Sequence, residues 1–152
     1  MKTKHEIYAD YIAADDLSVF DFESTGKKGS IKKRIAFMPT EMEGVYNLAF
    51  GDVDDEGEVD DYRVSNNGDR NKILATIATV VAEYTKRYPD RYIYFQGSTA
   101  ERTRLYRMAI SLNLDELSVT FDIYSQTEDG TQFVRFKKNM PARGFLIKRK
   151  IV

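Results

Sequence analysis

The sequence predicts an α+β fold, in which an antiparallel sheet of three to four N-terminal strands precedes a helix-strand-helix-strands segment. Short runs of strand-forming residues, separated by glycine-containing turns, fill the region before about residue 65. One long stretch after it has helical periodicity, and a helix-capping pattern follows the next short apolar run. Strands that come before helix–strand units are typical of the α+β class. With 152 residues and no Pro/Gly-rich linker, we expect one domain over 1–152.

The N-terminal strands are predicted from β-branched and aromatic residues between turn residues. Pro39 ends the second strand, because proline cannot donate to a sheet ladder. Asp54-Asp55-Glu56-Gly57 is typical of a hairpin turn. The expected strands cover residues 17–23, 31–38, 45–53 and 58–64.

The first helix is predicted over 70–88, with Asp69 as its N-cap and Pro89 as its end. Its apolar residues recur every three or four positions, namely Ile73, Ile77, Val80, Val81, Tyr84 and Tyr88. A short strand over 91–96 follows. Ser98 and Glu101 then form a capping-box pattern, so a second helix is expected from there to about Leu112, where Asn113 stops it.

The C-terminal third is predicted to return to strands. Apolar and polar residues alternate over 117–124, which indicates a half-buried strand. A turn at 128–130 leads to a strand over 132–136, and 145–151 is expected to be an edge strand or a partner-binding arm. An antiparallel triplet before alternating helices and strands resembles the ribonuclease-H-like topology, although topology alone implies no function.

The composition favours a cytoplasmic protein without a membrane segment. The charged start Met1-Lys2-Thr3-Lys4-His5-Glu6 lacks an apolar signal core, and no run of apolar residues is long enough to span a bilayer. There is no cysteine to form a disulfide, a thiolate nucleophile or a zinc–thiolate site. The net charge is −1, but acidic residues concentrate in 52–61 and basic residues elsewhere, which allows a basic face.

The sequence lacks the common catalytic motifs, which favours a non-enzymatic role without a cofactor. His5, the only histidine, lies close to an N-terminus that we expect to be mobile, and there is no cysteine, so nucleophilic catalysis is poorly supported. One enzymatic alternative is a divalent-metal-dependent nuclease on a degenerate ribonuclease-H-like fold, using Asp21 with Glu83 or Asp69. Two-metal chemistry needs a further carboxylate near Gln96-Gly97, where the sequence has none. Another alternative is a structural homo-oligomer that buries its Tyr- and Phe-rich strand faces or its C-terminal strand.

The second helix offers the best candidate for a binding surface. A helical wheel predicts a buried stripe of Leu105, Ala109 and Leu112 and an opposite, solvent-facing side with two arginines. Arg102 lies within the apolar stripe, where it could pair with an internal acid or with an external anion. A helix start carries free N–H groups and partial positive charge, which favour anions. The candidate anion- or partner-binding residues are therefore Ser98, Thr99, Arg102, Arg104 and Arg107.

The block Tyr92-Ile93-Tyr94-Phe95-Gln96-Gly97-Ser98-Thr99, with Arg102-Thr103-Arg104-Leu105-Tyr106-Arg107, resembles the signature of a family of small bacterial proteins known only as a domain of unknown function. The resemblance covers about 20 residues and carries no activity. It implies a bacterial protein with an accessory, toxin–antitoxin or defence-associated role. We therefore expect a binding module that contacts an anionic partner, either nucleic acid or an acidic protein, through the arginine-bearing helix.

Overall fold

The computed structural model describes residues 6–60 and 67–151 and confirms the α+β class. His5, Asn66 and the end of the strand expected over 58–64 lie outside the described residues. The helices are α1 (Arg70–Arg87), α2 (Ala100–Leu112) and α3 (Leu114–Thr120). The strands are β1 (Ile12–Ala13), β2 (Val19–Gly26), β3 (Gly29–Pro39), β4 (Val45–Val53), β5 (Val59–Asp60), β6 (Tyr92–Phe95), β7 (Phe121–Gln126), β8 (Phe133–Arg135) and β9 (Gly144–Arg149).

The described residues divide into two compact units. The first takes its residues from Met1–Met38 and Ala49–Tyr84, and the second from Pro39–Leu48 and Thr85–Val152. Each unit is built from two separate stretches of chain, and β4 contributes residues to both. The expectation of one domain stays a prediction.

The first unit is an antiparallel meander covered by most of α1. β2 and β3 pair from Val19↔Ala36 to Gly26↔Gly29, which leaves Lys27 and Lys28 as a two-residue turn. Gly29, the residue directly after this turn, has a φ of 86°, a left-handed conformation that glycine adopts without steric cost. Alternate side chains of β2 and β3 enter the core, where the ring of Phe37 stacks on that of Tyr84 from α1.

The second unit is a sheet in which β9 occupies an interior position. The start of β4 pairs in parallel with β6, and β9 pairs antiparallel with β6 on one side and with β7 on the other. β8 pairs with β7 beyond it. The expectation of an edge strand or free arm over 145–151 is therefore wrong. Phe145, Leu146 and Ile147 are consecutive apolar residues, a pattern typical of a strand covered on both faces.

The strand predicted over 117–124 is also partly wrong, because residues up to Thr120 belong to α3. Asn113 ends α2 and at once begins α3, where its carbonyl oxygen accepts the Leu117 backbone N–H at 2.9 Å. Asp115 and Glu116 in the first turn favour the positive end of the new helix. Strand geometry starts only at Phe121.

The order of the elements matches the ribonuclease-H-like expectation only in part. The triplet β2, β3 and β4 precedes α1, β6 and α2, as expected. After α3, however, β7, β8 and β9 follow one another without an intervening helix. Among the described helices, none combines the length and apolar character that crossing a bilayer requires.

Candidate anion-binding cleft

The junction between β6 and α2 is held by a close approach of the backbone at Gly97. The Gly97 N–H donates to the Thr103 hydroxyl at 3.0 Å, and this bond is buried. A Cβ atom at Gly97 would collide with the backbone of Arg102 and Thr103, so only glycine fits without displacement. The junction therefore places the first turn of α2 directly against the end of β6.

The N-cap of α2 is Thr99, so the predicted capping box of Ser98 and Glu101 is wrong. The Thr99 hydroxyl accepts the Arg102 backbone N–H at 3.2 Å, and the Thr99 carbonyl accepts that of Thr103 at 3.1 Å. Ser98 and Thr99 are adjacent hydroxyl residues of the kind that caps helices, and the structure uses Thr99. The hydroxyl of Ser98 instead accepts a hydrogen bond from Arg102 Nη1 at 3.2 Å.

The buried face of α2 is rotated from the one that the helical wheel predicted. Thr103 and Ile110 are buried, whereas Leu112 is 84% exposed. Because the Thr103 hydroxyl accepts a hydrogen bond from Gly97, the helix face that carries Thr103 points towards the protein interior. The prediction of Leu112 as a core residue is therefore wrong, and Leu105 and Ala109 are only half-buried.

A cleft of about 400 Å³ opens beside this junction, within the second unit. One wall is the face of α2 that carries Ala100, Thr103, Arg104 and Arg107, at the three- and four-residue steps that align side chains on a helix. The opposite wall comes from the β7–β8 turn and the segment before β9. The complete lining is Gln96, Gly97, Ser98, Thr99, Ala100, Thr103, Arg104, Arg107, Glu128, Pro141, Ala142 and Arg143.

The structure thus brings together four of the five predicted binding residues, since Ser98, Thr99, Arg104 and Arg107 line the cleft. Arg102 is not part of the lining. Its side chain is half-buried and donates to the Ser98 hydroxyl, so this arginine links the first turn of α2 to the residue before its N-cap. The pairing of Arg102 with an internal acid or an external anion stays a prediction, while its charged guanidinium group donates to the Ser98 hydroxyl.

Arg143 belongs to the cleft but was not predicted from the sequence. Its backbone N–H donates to the Gln126 carbonyl at 3.0 Å, and its guanidinium packs against Gly130, where a side chain would collide with it. Gly130 also has a φ of 77°. The pairing of β9 with β7 brings Arg143 close to α2. The sequence around Arg143 does not predict this pairing, so the residue could not be identified from the sequence.

The positive charge of Arg143 also affects the pKa of Tyr94, a half-buried residue of β6. Burial raises the pKa of the Tyr94 hydroxyl, and the positive charge of Arg143 acts in the opposite direction. The Tyr94 hydroxyl donates to Gln126 Oε1 and lies 2.9 Å from Gln96 Oε1. Tyr94 therefore links β6 to β7 underneath the cleft.

The charge of the cleft is predominantly positive. Three arginines line it, against the single carboxylate of Glu128. Arg104 is exposed and Arg107 half-buried, and neither side chain has a hydrogen-bond or ion-pair partner within the described parts of the chain. These two guanidinium groups can therefore bind an anion without first giving up an internal partner.

The carboxylates considered for a nuclease are each held by neighbouring side chains of the first unit. Both oxygens of Asp21 accept hydrogen bonds from Arg34, at 2.7 Å and 3.0 Å, and this pairing raises the pKa of Arg34. Glu83 accepts the Tyr11 hydroxyl at 3.1 Å, and Asp69 accepts those of Tyr8 and Ser24. Over residues 6–60 and 67–151, no group of three or more His, Asp or Glu side chains is arranged to hold a metal ion. The nuclease and homo-oligomer alternatives stay predictions.

The chain belongs to a family of unknown function, DUF6934, whose model matches residues 4–150. The expected resemblance to such a family is confirmed, and the block at 92–107 falls within the matched residues. No curated protein and no solved structure matches the chain.

Proposed function

We propose that this member of the family is a non-enzymatic binding module of the bacterial cytoplasm that contacts the phosphate backbone of nucleic acid through α2. The observation that carries the proposal is the cleft in which Arg104 and Arg107 of α2 face the segment of Arg143. An accessory role in a toxin–antitoxin or defence system would suit a module of this kind.

Three arginines in one cleft are best suited to bind a phosphate group. The guanidinium group is a planar fork of donors that binds phosphate oxygens in pairs. The start of α2 adds backbone N–H groups and partial positive charge at the same place. No residue of the lining is aromatic, so base stacking contributes little and the backbone is the natural target. This supports binding that is largely independent of base sequence.

The proposal is tested by the binding of labelled oligonucleotides, single- and double-stranded, at about 50 mM salt, followed by fluorescence anisotropy. Arg104→Ala and Arg107→Ala should each weaken binding by about 10-fold, the loss expected when a hydrogen bond between charged groups is removed. The matched control is Arg135→Ala, because Arg135 is exposed and lies outside the cleft, where it pairs with Asp122 at 3.1 Å and lies over the ring of Tyr124. It should leave binding almost unchanged.

Circular dichroism should first show that each variant is folded. Unchanged affinity in the Arg104→Ala/Arg107→Ala double variant would contradict the proposal. A protein that binds polyglutamate but neither form of nucleic acid would overturn it in favour of an acidic protein partner.

A further inference from the structure

We infer that the cleft binds a ribonucleotide unit, with the arginines on its phosphate and Glu128 on its ribose hydroxyls. The inference rests on the proposed function and names the kind of nucleic acid that the same site takes. The unit could be part of an RNA strand or a free nucleotide, and the chemistry of recognition is common to both.

Glu128 is presented to the cleft by an ordered turn. Its neighbour Asp129 accepts hydrogen bonds from the Thr127 hydroxyl at 2.6 Å, the Thr131 N–H at 3.0 Å and the Thr131 hydroxyl at 2.8 Å. The backbone closes the same turn, since Gly130 N–H donates to the Thr127 carbonyl at 2.8 Å. Asp129 is thus occupied within the turn, whereas the Glu128 side chain has no partner in the described residues and lines the cleft.

A carboxylate in an arginine-lined cleft restricts which anions can bind there. It accepts hydrogen bonds and cannot donate them, and it repels a phosphate placed against it. A ligand that contacts both the arginines and Glu128 must therefore carry an anionic group at one end and neutral hydrogen-bond donors at the other. Phosphate and ribose hydroxyls have this arrangement within one nucleotide, and a carboxylate that accepts from ribose hydroxyls is a recurring mode of nucleotide recognition.

The size of the cleft fits one such unit. Its volume of about 400 Å³ lies within the range of small-molecule sites and is too small for a duplex. A flexible single strand can place one nucleotide in it at a time. Deoxyribose lacks the 2′-hydroxyl, which is the group that lets proteins distinguish RNA from DNA. Glu128 therefore favours the ribose form.

The test compares single-stranded RNA and DNA of the same sequence, measured by anisotropy with the wild type and with Glu128→Ala. The wild type should bind RNA about 10-fold more tightly than DNA, as expected for one hydrogen bond to a charged group. Glu128→Ala should remove this preference, because it removes the acceptor and its repulsion together. Asp115→Ala is the matched control: it removes one exposed carboxylate of α3 outside the cleft, so the preference should persist.

Calorimetry with free ribonucleoside and deoxyribonucleoside monophosphates then identifies the source of the unit. A ribose preference already present in the monophosphates supports a free nucleotide as ligand, whereas a preference seen only with oligonucleotides supports RNA. Equal affinity of the wild type for RNA and DNA, lowered by Arg104→Ala, would overturn the inference and leave the proposed function intact. Failure of the oligonucleotides and of the monophosphates to bind would overturn the two together.

Discussion

Ser24 and Ser125 are both fully buried strand serines, yet their hydroxyl groups differ in hydrogen bonding. The Ser24 hydroxyl donates to Asp69 and accepts from Asn67 Nδ2 at 3.2 Å. The Ser125 hydroxyl has no partner within the part of the chain that the structure describes. Removing a hydrogen bond to a half-buried carboxylate is costly, whereas removing an unsatisfied buried hydroxyl relieves a desolvation penalty.

We therefore expect Ser24→Ala to lower the free energy of unfolding by about 2 kcal/mol and Ser125→Ala to raise it by about 1 kcal/mol. Urea denaturation followed by circular dichroism measures both changes, and each variant serves as the volume-matched control for the other. Equal losses in the two variants would show that Ser125 has a partner in solution.

The protonation of Asp129 makes the stability of the β7–β8 turn depend on pH. The Thr127 hydroxyl, then the N–H and hydroxyl of Thr131, hold the pKa of Asp129 down from 3.8 to about 2. Because the folded pKa is below the unfolded one, the carboxylate stabilises the fold above about pH 4, and this contribution is lost as the pH falls towards 2. Asp129→Asn should thus be less stable than the wild type at pH 7, with a difference that shrinks between pH 4 and 2. Denaturation midpoints across this range measure it, and a difference that does not change with pH would contradict the assignment.

Those parts of the candidate site that are formed by residues close together in the sequence could be predicted. The strand-to-helix junction and the arginines of α2 follow from residues within a few positions of each other. The choice of Thr99 over Ser98 as the cap could not be predicted, because both residue types cap helices and local propensity does not separate them. Arg143 and Glu128 reach the cleft only through strand pairing between distant segments.

At the level of elements, most helices and strands were predictable, with the exception of β1 and α3, but the neighbours of each strand were not. β9 ends in Lys148 and Arg149, with Lys150 directly after it, and charged residues of this kind are typical of an edge strand. The structure instead covers the apolar start of β9 on both sides, with β6 and β7. Similarly, the alternation over 117–124 fitted a strand, although its first half completes the turns of α3.

The interior position of β9 can be tested with two isoleucines at its end. Ile147 is 8% exposed and pairs with both neighbouring strands, whereas Ile151, just beyond the strand, is 86% exposed. Ile147→Ala should lower the free energy of unfolding by about 2–4 kcal/mol, the usual loss for a truncated core residue. Ile151→Ala should change it by less than about 0.5 kcal/mol. Chemical denaturation measures both, and similar small effects at the two positions would contradict an interior β9.

At the scale of the whole molecule, charge is unevenly distributed although its sum is almost zero. The net charge is −1, while the cleft gathers three arginines and the segment 52–61 gathers acidic residues. A chain of this kind has no general attraction for polyanions, so its affinity for nucleic acid must come from a local set of contacts. The number of those contacts can be measured from the salt dependence of the binding constant, because each neutralised phosphate releases bound counterions.

If the three arginines of the cleft each neutralise one phosphate of a single strand, the logarithm of the binding constant should fall with the logarithm of salt concentration with a slope of about −2. Affinity would then fall about 20-fold between 50 and 200 mM salt. The Arg104→Ala/Arg107→Ala double variant should retain a slope of about −0.7, and Arg135→Ala should keep that of the wild type. A wild-type slope of −5 or steeper would mean that basic residues outside the cleft carry the binding. A slope near zero would mean that phosphate is not what the arginines hold.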